Sequence, residues 1–543
     1  MSTPWSSAAG ADPAGTDPAG ADPVGADALI AIDIGTSGAR ASAFADSGAP
    51  LGEVRRSYPT SLPAEGWAEQ DASRWQAAAL SALGALIRSL GGRCRIRAIA
   101  VTGQCPSVVP LDHRDKPLRP GIIYRDNRAT AEAAFMRDRF GDTELHKLTG
   151  HVPAAFHVAA KILWIRAHEP EVFAATRRFV QPTDYVALTL TGHATTDWSM
   201  AAATALLDLR ARRWASDLLA GLDLDASLLP DVRAPWSIAG EVRAPLARRL
   251  GLPAGVPVLA GAGDSIACAL GAGVTTSGPV SEMAGSSSCF NSVIAEPLDD
   301  LDVTHYPSIV DRHSYVTEVG INTTGEALDW LARLFTSGPN RAPRAADYER
   351  LATAAGAARP GADGMLFAPV LGDGERDDPA LRGAATGLSL RHDRGAWARA
   401  AMEGVALGVR ARLETLGRAS VPPTELRVSG GGAGLAIWNQ IKADVTGIPV
   451  VRVAGDSTAA GTAMLAGLGA GVYRDAAEAV AAGYRPAHHA EPDPALRALY
   501  DEMYERYQTL LTSPVVRPDT KEQDRNEHDR NEHDRNEHDR SEH

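Results

Sequence analysis

Residues 28–48 read ALIAIDIGTSGARASAFADSG. An apolar, β-branched run ends in the turn Gly35-Thr36-Ser37-Gly38, and a second strand follows directly. EVRRSYPT at 53–60 reads as a third strand. DASRWQAAALSALGALIRSL at 71–90 reads as a helix capped by Asp71, and RIRAIAVTG at 95–103 as a fourth strand. The same order returns after Pro257: PVSEMAGSSSCFNSVIAEP at 279–297 is strand, Gly/Ser turn, strand. A helix, GAWARAAMEGVALGVRARLETLG at 395–417, then leads into the strand TELRVSGGG at 424–432. Two halves of one order predict an internal duplication: an α/β molecule of two lobes with a ligand cleft between them.

A chain of 543 residues is too long for one ordinary core, which agrees with two large lobes. The expected domains are 28–254 and 255–513. Residues 1–27 repeat AGADP-like units and 514–543 repeat DRNEH; neither can bury a core, so both are read as disordered. The tail spaces His528, His533, His538 and His543 by five, which suits either a metal or, more simply, a solvated mixed-charge segment.

The net charge of −13 is mostly an end effect, since residues 1–27 carry four Asp and no base, and 519–543 carry ten acids against five bases. No basic stripe marks a nucleic-acid partner. No stretch approaches a membrane span, and the first residues lack a basic start and an apolar core, so a cytoplasmic protein is expected. Cys94, Cys105, Cys268 and Cys289 lack metal-ligand spacing and read as reduced thiols.

Chemistry enters at the turns. Glycines let backbone N–H groups approach a ligand and hydroxyls add donors, so Asp33-Ile34-Gly35-Thr36-Ser37-Gly38 can cradle phosphate oxygens. Asp33 suits a magnesium ion held through water, and Arg40 a phosphate. A lone Gly/Ser hairpin is weak evidence, but Gly285-Ser286-Ser287-Ser288 occupies the corresponding turn of the second half. Neither G-x-x-x-x-G-K-[ST] nor G-x-G-x-x-G after the first strand occurs. Ser429 to Gly434, SGGGAG, precedes a helix bearing Asn439; it leaves flat space for an adenine or ribose, and reads equally as a tight strand-to-helix connection.

Together these pieces resemble the FGGY family of carbohydrate kinases, on the two-lobed actin/hexokinase-like (ribonuclease H-like) fold. The matching stretches are AIDIGTSGAR, GQ at 103–104, YRDNR at 124–128, KILWIRAHEPEVF at 161–173 and TDWSMAAATALLDLRARRW at 196–214. VLAGAGDS at 258–265, GERDDPALRGAATGL at 374–388, RAAMEGVALGVR at 399–410 and RVSGGGAGLAIWNQIKADVTG at 427–447 continue them. They run collinearly through nearly all of 28–513, and the xylulose kinase branch looks nearest, with gluconate kinases second.

The resemblance implies transfer of phosphate from ATP, with Mg2+, to a hydroxyl of a small open-chain sugar, a ketopentose such as D-xylulose. It implies Asp264 as general base and Asp33 as the acid organising magnesium. Thr36, Ser37 and Arg40 fall in the first phosphate turn, and Gly285 and Ser286 in the second. Gly431, Gly432, Ala433 and Asn439 fall in the adenosine region; Gln104, Asp126, Asp264 and Ser265 lie on the sugar side. Dimers are common in the family.

Three departures touch the sugar side. Xylulose kinases typically read GQMHG, WNDGR and GGGDN where this chain has Gly103-Gln104-Cys105-Pro106-Ser107, Tyr124-Arg125-Asp126-Asn127-Arg128 and Gly261-Ala262-Gly263-Asp264-Ser265. A histidine is missing, an amide has become a hydroxyl, and Arg125 adds a cation that would answer a carboxylate or sit on the surface. Gluconate or a polyol is therefore the alternative acceptor. A nucleotide-driven scaffold or a non-catalytic sugar sensor of the same fold is the alternative of another class, and the acids Asp33 and Asp264 speak against it.

Overall fold

The computed structural model describes residues 25–517 apart from 339, 340, 373, 376, 377, 379 and 420. The AGADP-like start up to residue 24 and the DRNEH repeats, with their histidines, lie outside the described residues.

Ala26–Ile34 pairs antiparallel with Gly38–Ala45, which pairs antiparallel with Pro50–Ser57. On its other side Ala26–Ile34 runs parallel to Cys94–Gly103, which runs parallel to Pro257–Leu259. A parallel step needs a crossover, and the helix Ala72–Leu90 supplies it. Asp71 caps that helix by accepting the Ser73 N–H, and Gly91 ends it in the left-handed conformation at φ 59°. Its Trp75, Ala79, Leu83 and Leu86 are buried with Ile30, Ile32 and Val101 of the sheet.

The second sheet repeats the scheme. Tyr315–Ile321, Ser288–Ile294 and Pro279–Ala284 are joined antiparallel, and Pro279–Ala284, Glu425–Ser429 and Val450–Val453 are joined parallel. Arg394–Ala419 precedes the second sheet's Glu425–Ser429 as Ala72–Leu90 precedes Cys94–Gly103. The duplication expected from the element order is thus present in these five strands of each sheet, on the two-lobed fold expected; Thr304–Pro307 adds an edge strand to the second sheet alone.

The expected division at 254/255 cuts ahead of the last strand of the first sheet. Pro257–Leu259 and Ala262–Gly263 both pair with Cys94–Gly103, so the first sheet takes the chain up to Gly263. Both outer boundaries also carry structure. Asp27 pairs with Arg95 and Arg97. At the other end Val516 is buried and Arg517 pairs with Asp378.

The lobes meet through two equivalent helices, Asp264–Gly271 and Ser457–Gly469. They cross at glycine: a methyl at Gly271 would overlap the Ser457 carbonyl, and one at Gly461 the Ala267 carbonyl. The small residues of LAGAGDSIACALGAG at 259–273 serve this close approach.

Candidate active site

Three parallel strands end side by side at the cleft. Ile34 is in register with Gly103, and Gly103 with Gly263, so Gly35, Gln104 and Asp264 emerge as neighbours at one edge. Carboxyl ends of parallel strands are where α/β sheets take their ligands.

Glycine is required just ahead of Asp264. Gly261 has φ 95°, and a methyl there would overlap the Val101 carbonyl; one on Gly263 would stand 3.2 Å from Cys105 Sγ. Gly263 N–H is held by Ser199 Oγ at 2.9 Å, which in turn donates to Asp197 Oδ1 at 2.5 Å. The chain then enters a helix whose first residue is Asp264, and Ser265 N–H donates to Asp264 Oδ1 at 2.8 Å. Burial pushes the Asp264 carboxyl up to about 7; the nearby charges of Asp33 and Glu318 add to this, and the Ser265 N–H opposes it. Asp33 is also raised by burial, against the pull of Arg40.

The first turn faces its N–H groups outward because its carbonyls are taken from behind. Tyr58 OH donates to the Gly35 carbonyl at 2.5 Å, Gln70 Nε2 to that of Thr36 at 2.7 Å, and Tyr58 N–H to that of Ser37 at 3.2 Å. The N–H groups of Thr36 and Ser37 have no partner among the described residues. Arg40 pairs with Asp33 at 3.7 Å and Glu53 at 3.5 Å, and also with Asp456 of the second lobe.

The second turn is braced in the same way. Thr324 and Glu326 N–H donate to the Ser286 carbonyl, and Gly325 N–H to that of Gly285. Beneath it, Ser288 Oγ donates to Glu282, which forms a fully buried ion pair with Lys442 at 2.6 Å. Gly431–Gly434 forms a short 3-10 turn before the helix Ala436–Thr446. Gly432 packs tightly on Trp438 and Ala284, which a Cβ there would approach to 3.1 and 3.3 Å. Asn439 lies under this turn, buried, with its amide on the Ala433 carbonyl at 2.9 Å.

On the sugar side Gln104 is buried and joined to Gln70 at 2.8 Å. Asp126 is wholly buried; it holds Arg128 through both oxygens and accepts the Ala68 N–H. It sets the loop from which Tyr124 reaches the first turn, where Thr36 Oγ1 donates to its hydroxyl at 3.3 Å. Arg125 in the same loop is exposed. Lys161, fully buried, donates to the carbonyls of Pro106 and Ile123 and ties two sugar-side loops together.

Sequence reading missed Glu318. It stands on Tyr315–Ile321, buried, accepting from Ser265 Oγ at 2.6 Å and from Asn291 Nδ2 at 3.3 Å. The available signal was a lone acid in the apolar strand YVTEVGI. Among the described residues no three His, Cys, Asp or Glu gather to hold a metal by themselves. Asp33 beside a phosphate-shaped turn fits magnesium, which commonly takes one or two carboxylates and completes its shell with waters and substrate phosphate.

The model of the FGGY family of carbohydrate kinases matches by its N-terminal domain at residues 28–271 and by its C-terminal domain at 281–470. A xylulose kinase of Bacillus subtilis is 30% identical over 498 residues, covering 89% of this chain and 98% of the relative. A gluconokinase of the same organism is 27% identical over 429 residues, covering 77% and 82%. The crystal structure of xylulose kinase from Rhodospirillum rubrum superposes with a TM-score of 0.83 at 33% identity, over 90% of this chain and 99% of that one. With the duplicated lobes and matching glycine turns, these likenesses establish that the chain belongs to the FGGY family of carbohydrate kinases.

Proposed function

We propose that this sugar kinase transfers the terminal phosphoryl group of ATP to a hydroxyl of a ketopentose such as D-xylulose, with Asp264 as general base. The observation that carries the reading is the strand register that sets Asp264 beside Gln104 and the first Gly/Ser turn. Xylulose kinases of Bacillus subtilis and Rhodospirillum rubrum match at 30% and 33% identity, against 27% for a gluconokinase, which supports the ketose over gluconate.

Phosphoryl transfer asks the protein chiefly to align acceptor and phosphate and to balance charge. The N–H groups of Thr36 and Ser37 take phosphate oxygens from one lobe, and Gly285 and Ser286 from the other. Arg40 pairs with Asp33 and with Asp456 of the second lobe, so it can exchange partners as the lobes close. Gly431, Gly432 and Ala433 give adenosine a flat bed that Asn439 holds from below. Asp33 would hold magnesium, which supplies charge neutralisation on the phosphates. Gln104 and Ser265 orient the sugar, and Asp126 acts by fixing the Tyr124 loop. Asp264 accepts the hydroxyl proton late in the transfer, and closure excludes water, the competing acceptor. The same reading expects a cytoplasmic enzyme, of a family in which dimers are common; among the described residues no helix is long and apolar enough to cross a membrane.

The test is ADP release from MgATP by the purified chain with a panel of pentuloses, polyols and sugar acids, scored by kcat/KM. D-xylulose or a near ketose should lead; a leading gluconate, or no release with any sugar, overturns the reading.

A further inference from the structure

The hydrogen-bond polarity of the acceptor site follows from its neighbours. The indole of Trp75 can only donate, and it donates to Gln70 Oε1 at 2.7 Å. Gln70 Nε2 gives to the Thr36 carbonyl and to Thr60 Oγ1, each at 2.7 Å. Gln104 must therefore meet Gln70 Oε1 with its own amide nitrogen, at 2.8 Å. Its Oε1 is turned away, buried and without a partner among the described residues.

The residue that follows Asp264 has the same character. Ser265 gives its one hydroxyl proton to Glu318 Oε2, so toward anything else it only accepts. Asn291 places one amide N–H on the same oxygen, and its Oδ1 is left buried without a partner among the described residues. Asp264 adds a carboxyl group beside Ser265. Of the arginines nearby, Arg40 is engaged by Asp33, Glu53 and Asp456, and Arg125 is exposed, with its charge felt at Tyr124. An amide after Asp264, as the xylulose kinase pattern has, would offer a donor; serine tethered to a glutamate offers an acceptor and a negative charge.

We propose that this set of acceptors reads hydroxyl donors on a neutral sugar or polyol, and that Glu318 is the specificity residue that excludes acceptors bearing a carboxylate. The inference rests on the kinase reading above. Exclusion arises from repulsion and from lone pairs facing lone pairs, a device that works against the wrong ligand rather than for the right one. Glu318 acts through Ser265 and through its charge, so its mark is the ratio between two acceptors and not the rate with one.

The experiment compares wild type and Glu318→Gln by kcat/KM with MgATP and by calorimetric Kd without nucleotide, each for D-xylulose and D-gluconate. Wild type should favour the ketose by about 100-fold or more, and Glu318→Gln should narrow that ratio by about tenfold, mainly by gaining gluconate. Ser265→Asn, which returns an amide donor, should narrow it in the same direction and serves if the first variant does not fold. An unchanged ratio, a wild type that binds gluconate more tightly, or calorimetric binding of neither sugar overturns the inference. Binding with the expected ratio but no phosphorylation would overturn the kinase reading and leave this one standing.

Discussion

The charges of Asp33 and Glu318 both act on Asp264, the residue proposed to take the sugar hydroxyl's proton. Burial and its two acidic neighbours hold Asp264 near 7 instead of the ordinary 3.8. The sign is that of a raised acid: below about 7 the carboxyl keeps its proton and cannot accept another, so activity appears as pH rises. The expected pH profile of kcat/KM therefore falls about tenfold per unit below pH 7, and Glu318→Gln moves that limb to lower pH. A flat profile between pH 5 and 8 would mean that Asp264 is ionised throughout and that its neighbours do not act on it. The sequence announced Asp264 only through its match to VLAGAGDS, because one acid after a strand is chemically silent until its neighbours are known. Glu318 and Lys161 were legible as local conflicts, a charge in YVTEVGI and another in VAAKILWI, but which partners answered them depended on packing.

At the scale of elements, the crossing of Asp264–Gly271 and Ser457–Gly469 sets how near the lobes come. Gly461→Ala forces a methyl against the Ala267 carbonyl and should cost about 1–3 kcal/mol, read as a lowered denaturation midpoint. Gly356→Ala, with only ordinary contacts to Ile437, should leave stability equal or slightly raised. Equal midpoints for both variants would show that the crossing tolerates separation. The glycines were visible in the sequence as small residues. Their partner helix was not, because it lies almost two hundred residues away and carries its own glycine at the complementary place. Membership of the first sheet is hidden for a related reason: Pro257 punctuates the chain, but Pro257–Leu259 pairs backward with Cys94–Gly103.

Across the whole molecule the element order was legible because hydrophobic period and glycine turns are local, and a duplication states them twice. The cleft is the product of both copies: one contributes Asp33, Gln104 and the first turn, the other the second turn, Glu318 and the glycine bed, with Asp264 where the chain passes between them. If that arrangement works as argued, removing one proton acceptor should abolish transfer without disturbing nucleotide capture. The decisive measurement is ADP formation on D-xylulose by wild type and Asp264→Asn at saturating MgATP, with nucleotide Kd measured alongside. The account predicts an ATP affinity within about threefold of wild type and a kcat lower by about 10²–10⁴; an Asp264→Asn enzyme turning over within about fivefold of wild type would contradict it.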